Sequence, residues 1–406
     1  MYSKRIDNRS QITSIAFYQF ELNKDANEHL GGTGIYLTSL VNFLKAQQHR
    51  ANIRFIACQA SPLGTAPHQH KLWLVFQKQW HDMLDLLTPP EEVLLFHYPK
   101  MPFIGRSNAV KVLLAALLAY GLLSVKKRVS GQRVVVLIQD LPIEMCLIRP
   151  GDAVPDLSPF YHPKRLSSQD RLFTWIERLI FKMADTIISP SSFLTEHIIP
   201  KHGLSPQKID LKRRDIYIPS YENAPQPVAL NPDKGLRVFY SGDLGLPLAV
   251  EAIRQVMQVF QQFPLAHLYL CGQQGDWVRE EAKSYNLANV HYLGVLDHAT
   301  YDAVAEQCDV GLLIYQHSYY DLMATAKYSA YVANGLATLT TDLVTLSQMV
   351  KEDEVGLAVP FAELPTHLSR WLQHPEEVDP YKRRARQLSD NFRQGLYMLE
   401  WFEGIL

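Results

Sequence analysis

The chain has 406 residues, of which 47% are hydrophobic and 20% are charged, so its composition is that of a soluble globular protein with room for two domains. It carries 40 lysine and arginine residues against 41 aspartate and glutamate residues, and the net charge of −1 excludes an overall basic field for nucleic acid. The cysteines are far apart and the first residues lack an apolar segment, which predicts reduced thiols in a cytosolic protein without a signal peptide.

The amino-terminal half begins with a predicted strand at residues 14–20, then a glycine-rich turn and a helix. The turn ends in Gly32, Thr33 and Gly34. Because glycine lets a ligand approach the backbone, a strand, a glycine turn and a helix start can form a phosphate cradle. The alternative is a purely structural turn.

Polar residues stand at the ends of two later strands of this half. Strands are predicted at 52–58, 71–77, 92–99 and 133–140, and the last is a near-continuous apolar run typical of a strand buried on both faces. His97 and Asp140 lie at the carboxyl ends of the last two strands, where open parallel sheets bind their ligands. They are the predicted catalytic residues. The alternatives are that His97 makes a hydrogen bond inside the core and that Asp140 caps the turn that follows it.

Residues 109–124 are nearly all apolar and are followed by the basic residues 126–128. This segment contains Lys111 and is shorter than the ~20 residues that a membrane span requires. A buried crossover helix is predicted, and peripheral membrane contact through the helix and its basic end is the alternative. The proline-rich segment 152–165 predicts a loop that orders over a binding cleft.

Residues 215–234 contain four prolines and no periodic pattern, which predicts a linker. The linker divides an amino-terminal domain, 1–214, from a second α/β domain, 235–385, and a carboxyl-terminal helix follows at 386–406. The predicted fold class is α/β, with two consecutive βα domains and right-handed crossovers.

The stretch 321–342 places Lys327, Tyr331 and Asn334 four and three residues apart, so that they share one face of a predicted helix. Lys327 lies in the first turn of that helix. Backbone N–H groups at a helix start together with a lysine form an anion site. The alternative is a structural connection in which Gly335 only ends the helix.

Two segments, SGDLG at 241–245 and KYSAYVANGLATLTT at 327–341, resemble the glycine turn and the lysine-containing pattern of bacterial surface-glycan glycosyltransferases. These enzymes include galactofuranosyltransferases and the glucosyltransferases that extend sugars on serine-rich adhesins. HYP at 97–99, LIQDLP at 137–142 and ADTIISPSSFL at 184–194 agree in the same order. The resemblance implies the GT-B fold, two Rossmann-like domains facing across a cleft with a carboxyl-terminal helix that crosses back.

The resemblance also implies roles for individual residues. Lys327 would pair with the donor diphosphate, and Ser329 and Tyr331 would contact phosphate or ribose. Ser241, Gly242 and Asp243 would form the turn beneath the diphosphate. Gly32, Thr33 and Gly34 would form the loop that faces this turn across the cleft.

The chain departs from the family pattern at several of these positions. Thr325 and Ala326 replace the end of an Asn-Pro-His segment, Ala330 stands where many GT-B enzymes carry a glutamate, and Gln139 replaces a histidine.

The function expected from these patterns is that of a cytoplasmic hexosyltransferase, which moves a sugar from a nucleotide-diphospho-sugar, UDP-linked, to a glycan or glycoprotein. No cofactor is expected. The sequence contains no Asp-x-Asp motif, so a metal is not implied. Self-association into a homo-oligomer is left open. The alternative is a non-catalytic GT-B partner of a glycosyltransferase, whereas a dinucleotide-dependent oxidoreductase is disfavoured because no GxGxxG motif is present.

Overall fold

Two parallel sheets organise the chain, which is described here by a computed structural model. The described residues are 14–20, 32–58, 92–98, 131–138, 141, 144, 166–213, 215–219, 221, 224–228, 230–231, 235–245, 247–315 and 326–406. Asp140, the predicted strand at 71–77, the apolar segment 109–124 and the proline-rich segment 152–165 lie outside them. No helix in the described ranges is both long and apolar enough to cross a membrane.

The first sheet contains six parallel strands in the order β2-β1-β3-β4-β5-β6. Their bounds are Ser14–Phe20 (β1), Asn52–Cys58 (β2), Val93–Tyr98 (β3), Arg133–Ile138 (β4), Thr186–Ser189 (β5) and Ile209–Leu211 (β6). Every residue of β4 after Arg133 is buried, as the unbroken apolar run predicts for a strand that is covered on both faces.

The second sheet contains six parallel strands in the order β12-β11-β10-β7-β8-β9. Their bounds are Arg237–Ser241 (β7), His267–Cys271 (β8), Val290–Tyr292 (β9), Val310–Leu313 (β10), Ala337–Thr341 (β11) and Gly356–Val359 (β12). The order matches that of dinucleotide-binding domains, in which the ligand crevice lies where the strand order reverses. In this sheet the reversal falls between β7 and β10.

Helices connect the strands in both halves. The described helices of the first half are Gly32–Ala46 (α1), Ser168–Met183 (α2) and Ser192–His202 (α3). Those of the second half are Pro247–Phe260 (α4), Asp276–Ser284 (α5), His298–Ala305 (α6), Ala326–Ala333 (α7), Val344–Asp353 (α8) and Leu364–Gln373 (α9). The carboxyl-terminal helices are Asp379–Arg393 (α10) and Leu396–Ile405 (α11).

The single carboxyl-terminal helix expected from the sequence is therefore two helices. The chain turns at Gly395, whose φ is +66°, and a Cβ atom there would lie 2.8 Å from the Phe43 ring. Glycine supplies both the left-handed backbone and the space. Beyond the turn, α11 buries Trp401 and Phe402 in a core cluster of the first half, so the carboxyl terminus does cross back.

The segment predicted as a linker is bound to both halves where it is described. The Ile218 N–H donates to Ser39 Oγ at 2.9 Å, and Asn42 Nδ2 donates to the Ile218 carbonyl at 2.8 Å. On the other side, the Tyr217 hydroxyl donates to Asp302 Oδ1 at 2.5 Å. Residues 215–219 thus form a strap between the two halves, rather than a free tether.

An ion pair joins the end of the first sheet to the second half. Both terminal nitrogens of Arg213 donate hydrogen bonds to the Asp353 carboxylate, at 2.8 and 2.7 Å. Its Nε donates to Asp215 Oδ2 at 2.6 Å. The Tyr328 hydroxyl donates to the same Asp353 at 2.5 Å. Because Tyr328 belongs to α7, this helix is anchored at the junction of the two halves.

Candidate functional site

The candidate site lies at the carboxyl ends of β7 and β10, where the strand order of the second sheet reverses. The ammonium of Lys327, in the first turn of α7, lies 5.2 Å from the centre of the Tyr240 ring and 5.5 Å from that of Tyr315. A Cβ atom built on Gly242 would be 2.6 Å from Lys327 Nζ. The lysine and the glycine turn, which are predicted together from distant parts of the sequence, are therefore in contact.

A second glycine loop supports this turn from below. The Gly242 N–H donates to the Cys271 carbonyl and the Leu244 N–H to the Gln273 carbonyl, both at 3.0 Å. Gly272 has a φ of +135°, and a Cβ atom there would lie 1.7 Å from the Gly242 carbonyl oxygen. Only glycine permits this approach. Sequence reasoning missed Gly272, although the glycines that follow β8 were a visible signal.

Two buried tyrosines hold Ser241 at the start of the turn. The Ser241 N–H donates to the Tyr331 hydroxyl at 3.0 Å, and Ser241 Oγ lies 3.4 Å from the hydroxyls of both Tyr301 and Tyr331. Burial raises the pKa of both phenols well above the usual range, so both remain neutral hydrogen-bonding groups. Tyr301 was not identified from the sequence.

The resemblance implies that Tyr331 and Ser329 contact phosphate or ribose, but the structure places both side chains in the interior of the protein. Tyr331 is fully buried and meets the turn from the core side. Ser329 is also buried, and its Oγ lies 3.5 Å from Asp215 Oδ1 in the strap. Both residues support the site instead of lining it. The physical reason is that one face of α7 packs on the sheet while another packs against the first half.

The side chains of Asn334 and Asp243 make hydrogen bonds to other groups of the protein. Asn334 Nδ2 donates to Asp302 Oδ1 at 2.9 Å, and Gly335 ends α7 with a φ of +75°, as the structural alternative for this glycine expects. Asp243 Oδ1 accepts the Gly245 N–H at 2.9 Å and so stabilises its own turn. Asp243 therefore contributes to the shape of the turn.

Ala330, at one of the departures from the family pattern, lies inside the second half. Its side chain is fully buried in the core of the second half, so a charged residue there would lack solvent. Ala326 packs into the core cluster of the first half, together with Tyr36 and Leu40 of α1. An apolar residue fits that junction between the two halves.

The first half faces the site through α1, which contacts α7. Gly32, Thr33 and Gly34 form the first turn of α1, so the helix begins within the predicted glycine turn. The backbone of His97 lies near the end of β3, beside Gln19 of β1, where the order of the first sheet reverses. The His97 side chain is outside the described part of the chain, as is Asp140, so their catalytic roles stay predictions.

The chemistry of the site suits an anion. Within the described parts of the chain no carboxylate pairs with Lys327, and no group of three or more histidine, cysteine or acidic residues could hold a metal. Beneath the turn, burial raises the pKa of the Cys271 thiol to about 12 despite the nearby Lys327, so this thiol is neutral. A half-buried ammonium above a glycine turn at the start of α4 is the arrangement that binds phosphates.

No protein-family model and no curated protein matches this sequence. Solved structures match it over nearly its whole length. Sucrose-phosphate synthase from Thermosynechococcus elongatus is 17% identical with a TM-score of 0.61, covering 97% of this chain and 99% of that chain. HepE of Anabaena, solved in complex with UDP, is 11% identical with a TM-score of 0.58, covering 97% and 99%.

A putative UDP-N-acetylglucosamine 2-epimerase from Listeria monocytogenes is also similar, at 13% identity and a TM-score of 0.53, covering 94% of each chain. These likenesses show that the chain has the GT-B fold, two Rossmann-like domains facing across a cleft, as the resemblance in sequence implies. Because transferases and an epimerase share this architecture, the reaction has to be argued from the site.

Proposed function

We propose that this protein is a glycosyltransferase that moves a sugar from a nucleotide-diphospho-sugar, UDP-linked, to a glycan or glycoprotein acceptor. The observation that carries the proposal is the Lys327 ammonium, which lies against the Ser241–Gly242 turn at the reversal point of a dinucleotide-type sheet. The likeness to HepE, which was solved with UDP, supports the choice of nucleotide.

The proposed chemistry follows from these groups. Glycosyl transfer leaves negative charge on the departing diphosphate, and preorganised donors at that position lower the barrier most. Lys327 and the start of α4 provide them, while the N–H groups of Ser241, Gly242, Leu244 and Gly245 bond within the protein and hold the turn in shape. His97 and Asp140, at the carboxyl end of the first sheet, are the proposed groups for positioning or deprotonating the acceptor hydroxyl. The reaction is proposed to take place in the cytoplasm.

The test is calorimetric titration with UDP and a panel of UDP-sugars, with and without magnesium. We expect Lys327→Ala to weaken UDP binding at least about tenfold, roughly 1.5 kcal/mol, because it removes one charge-assisted contact. Lys283→Ala, at an exposed position in the last turn of α5, is the matched control and should leave the affinity unchanged. Equal affinity in the Lys327 variant and the wild type would refute the donor site.

The non-catalytic partner is the second candidate, because Ala330 is a buried alanine where many GT-B enzymes carry a glutamate. A protein of this kind would bind neither UDP nor any UDP-sugar. Binding of UDP followed by acceptor-dependent release of UDP from one donor would establish the enzyme and exclude the partner role.

A further inference from the structure

Helix α7 reaches the same turn with two side chains from opposite sides. Lys327 and Tyr331 are four residues apart, one turn of helix. The ammonium of Lys327 lies over Gly242 on the cleft side, while the Tyr331 hydroxyl accepts the Ser241 N–H from the core side. One rigid helix thus sets the position of both the charge and the backbone on which it lies.

The Tyr331 ring has little freedom to move. A Cβ atom on Gly311 of β10 would lie 2.4 Å from Tyr331 Cδ2, so the ring packs directly on the strand backbone. Phe239 of β7 packs edge-on against it, with ring centres 5.9 Å apart, and likewise against Tyr301 at 5.3 Å. The hydroxyl is therefore held at a defined height beneath the turn.

We propose that Tyr331 is a positioning residue, whose hydroxyl sets the place of the Ser241–Gly242 backbone under the Lys327 ammonium. The anion site is then built from one helix face and one turn, and the hydrogen bond from the Ser241 N–H to the Tyr331 hydroxyl sets their register. This inference rests on the proposed function only for the identity of the anion, the diphosphate of a nucleotide.

The chain offers a matched control for this role. Tyr328 is a second buried tyrosine of α7, and its hydroxyl donates to Asp353 instead of bonding to the turn. Tyr331→Phe and Tyr328→Phe remove the same atom from the same helix. Only the first removes the partner of the Ser241 N–H.

The first measurement needs no nucleotide. Lysines of the apo protein are labelled with ¹³C-methyl groups, and the Lys327 resonance is assigned by its absence in Lys327→Arg. Between the rings of Tyr240 and Tyr315 this resonance should show a ring-current shift. We expect the shift to change in Tyr331→Phe and to persist in Tyr328→Phe. An unchanged Lys327 resonance in Tyr331→Phe overturns the positioning role.

The second measurement compares UDP with uridine. In Tyr331→Phe we expect the Kd for UDP to rise about fivefold, the scale of one hydrogen bond, while uridine affinity is unchanged. A general loss of structure would weaken both ligands equally and would count against the proposal. If the wild type binds no UDP but the resonance responds as described, the proposed function fails and the positioning role stands.

A second variant guards against poor folding of Tyr331→Phe. Gly242→Ala keeps the tyrosine hydroxyl but places a Cβ atom 2.6 Å from Lys327 Nζ, which moves the flexible end of the lysine. We expect the same change in the Lys327 resonance. A resonance that stays in place would show that the ammonium does not lie on the turn, and the proposal would be wrong.

Discussion

Gly272→Ala should lower the free energy of unfolding by about 2–6 kcal/mol and remove UDP binding. The φ of Gly272 is +135°, and its added Cβ would lie 1.7 Å from the Gly242 carbonyl oxygen. The estimate combines about 1–3 kcal/mol for a backbone conformation that only glycine adopts with about 1–3 kcal/mol for overpacking against backbone. Urea unfolding followed by circular dichroism measures the first effect, and calorimetric titration the second.

Gly294→Ala is the control for this experiment. Gly294 also has a positive φ, +78°, but no heavy atom lies within 4 Å of its added Cβ. Its cost should stay near 1–2 kcal/mol, roughly that of a left-handed residue, and UDP should still bind. If the two variants lost equal stability, the close approach of the two glycine loops would not be the cause.

Lys201→Met should destabilise the first half by about 3–5 kcal/mol, because it leaves two buried carboxylates without their ammonium. Lys201 Nζ donates to Glu144 Oε1 at 2.6 Å and to Glu177 Oε1 at 2.5 Å, and all three side chains are at most 1% exposed. Lys182→Met, at an exposed position of the adjacent α2, should change stability by less than about 0.5 kcal/mol. Thermal and urea unfolding of the two variants provide the comparison.

The same ion cluster predicts that the free energy of unfolding changes with pH in opposite directions in the wild type and in Lys201→Met. Burial disfavours charge on Glu144 and Glu177, but Lys201, with His197 at Glu144 and His202 at Glu177, holds the pKa of both carboxyls below the ordinary value of 4.5. Their contribution is complete above that value and is lost as the pH falls below it, so the wild type should weaken between pH 5 and 3.

In Lys201→Met burial dominates and raises the pKa of the two carboxyls. The folded state then binds more protons than the unfolded state, so this variant should gain stability as the pH falls from 8 to 5. Unfolding free energies at four or five pH values would show the reversal. Parallel pH profiles for variant and wild type would contradict the role given to Lys201.

Much of the fold could be predicted from the local pattern of residues. The apolar run of β4 and the strand and glycine turn at the end of β7 are recognisable because burial on both faces and a tight turn restrict composition directly. The resemblance covering both segments also implied that Lys327 and the turn at Gly242 belong to one diphosphate site, and the structure brings the two into contact. The break between the last two helices at Gly395 was not predicted. The residues on both sides of this glycine have a helical pattern, and the close approach of Phe43 that requires a glycine there is seen only in the structure.

Local residue patterns were enough to predict the alternation of strands and helices, the two-domain organisation and the set of polar residues from which the site is drawn. Helical spacing placed Lys327, Tyr331 and Asn334 on one face, since that depends only on the repeat of the helix. Long-range packing sets what each part of that face meets: the cleft for Lys327, the underside of the turn for Tyr331 and the Asp302 carboxylate for Asn334. These partners lie 32 or more residues away along the chain, and local periodicity carries no information about contacts over that separation.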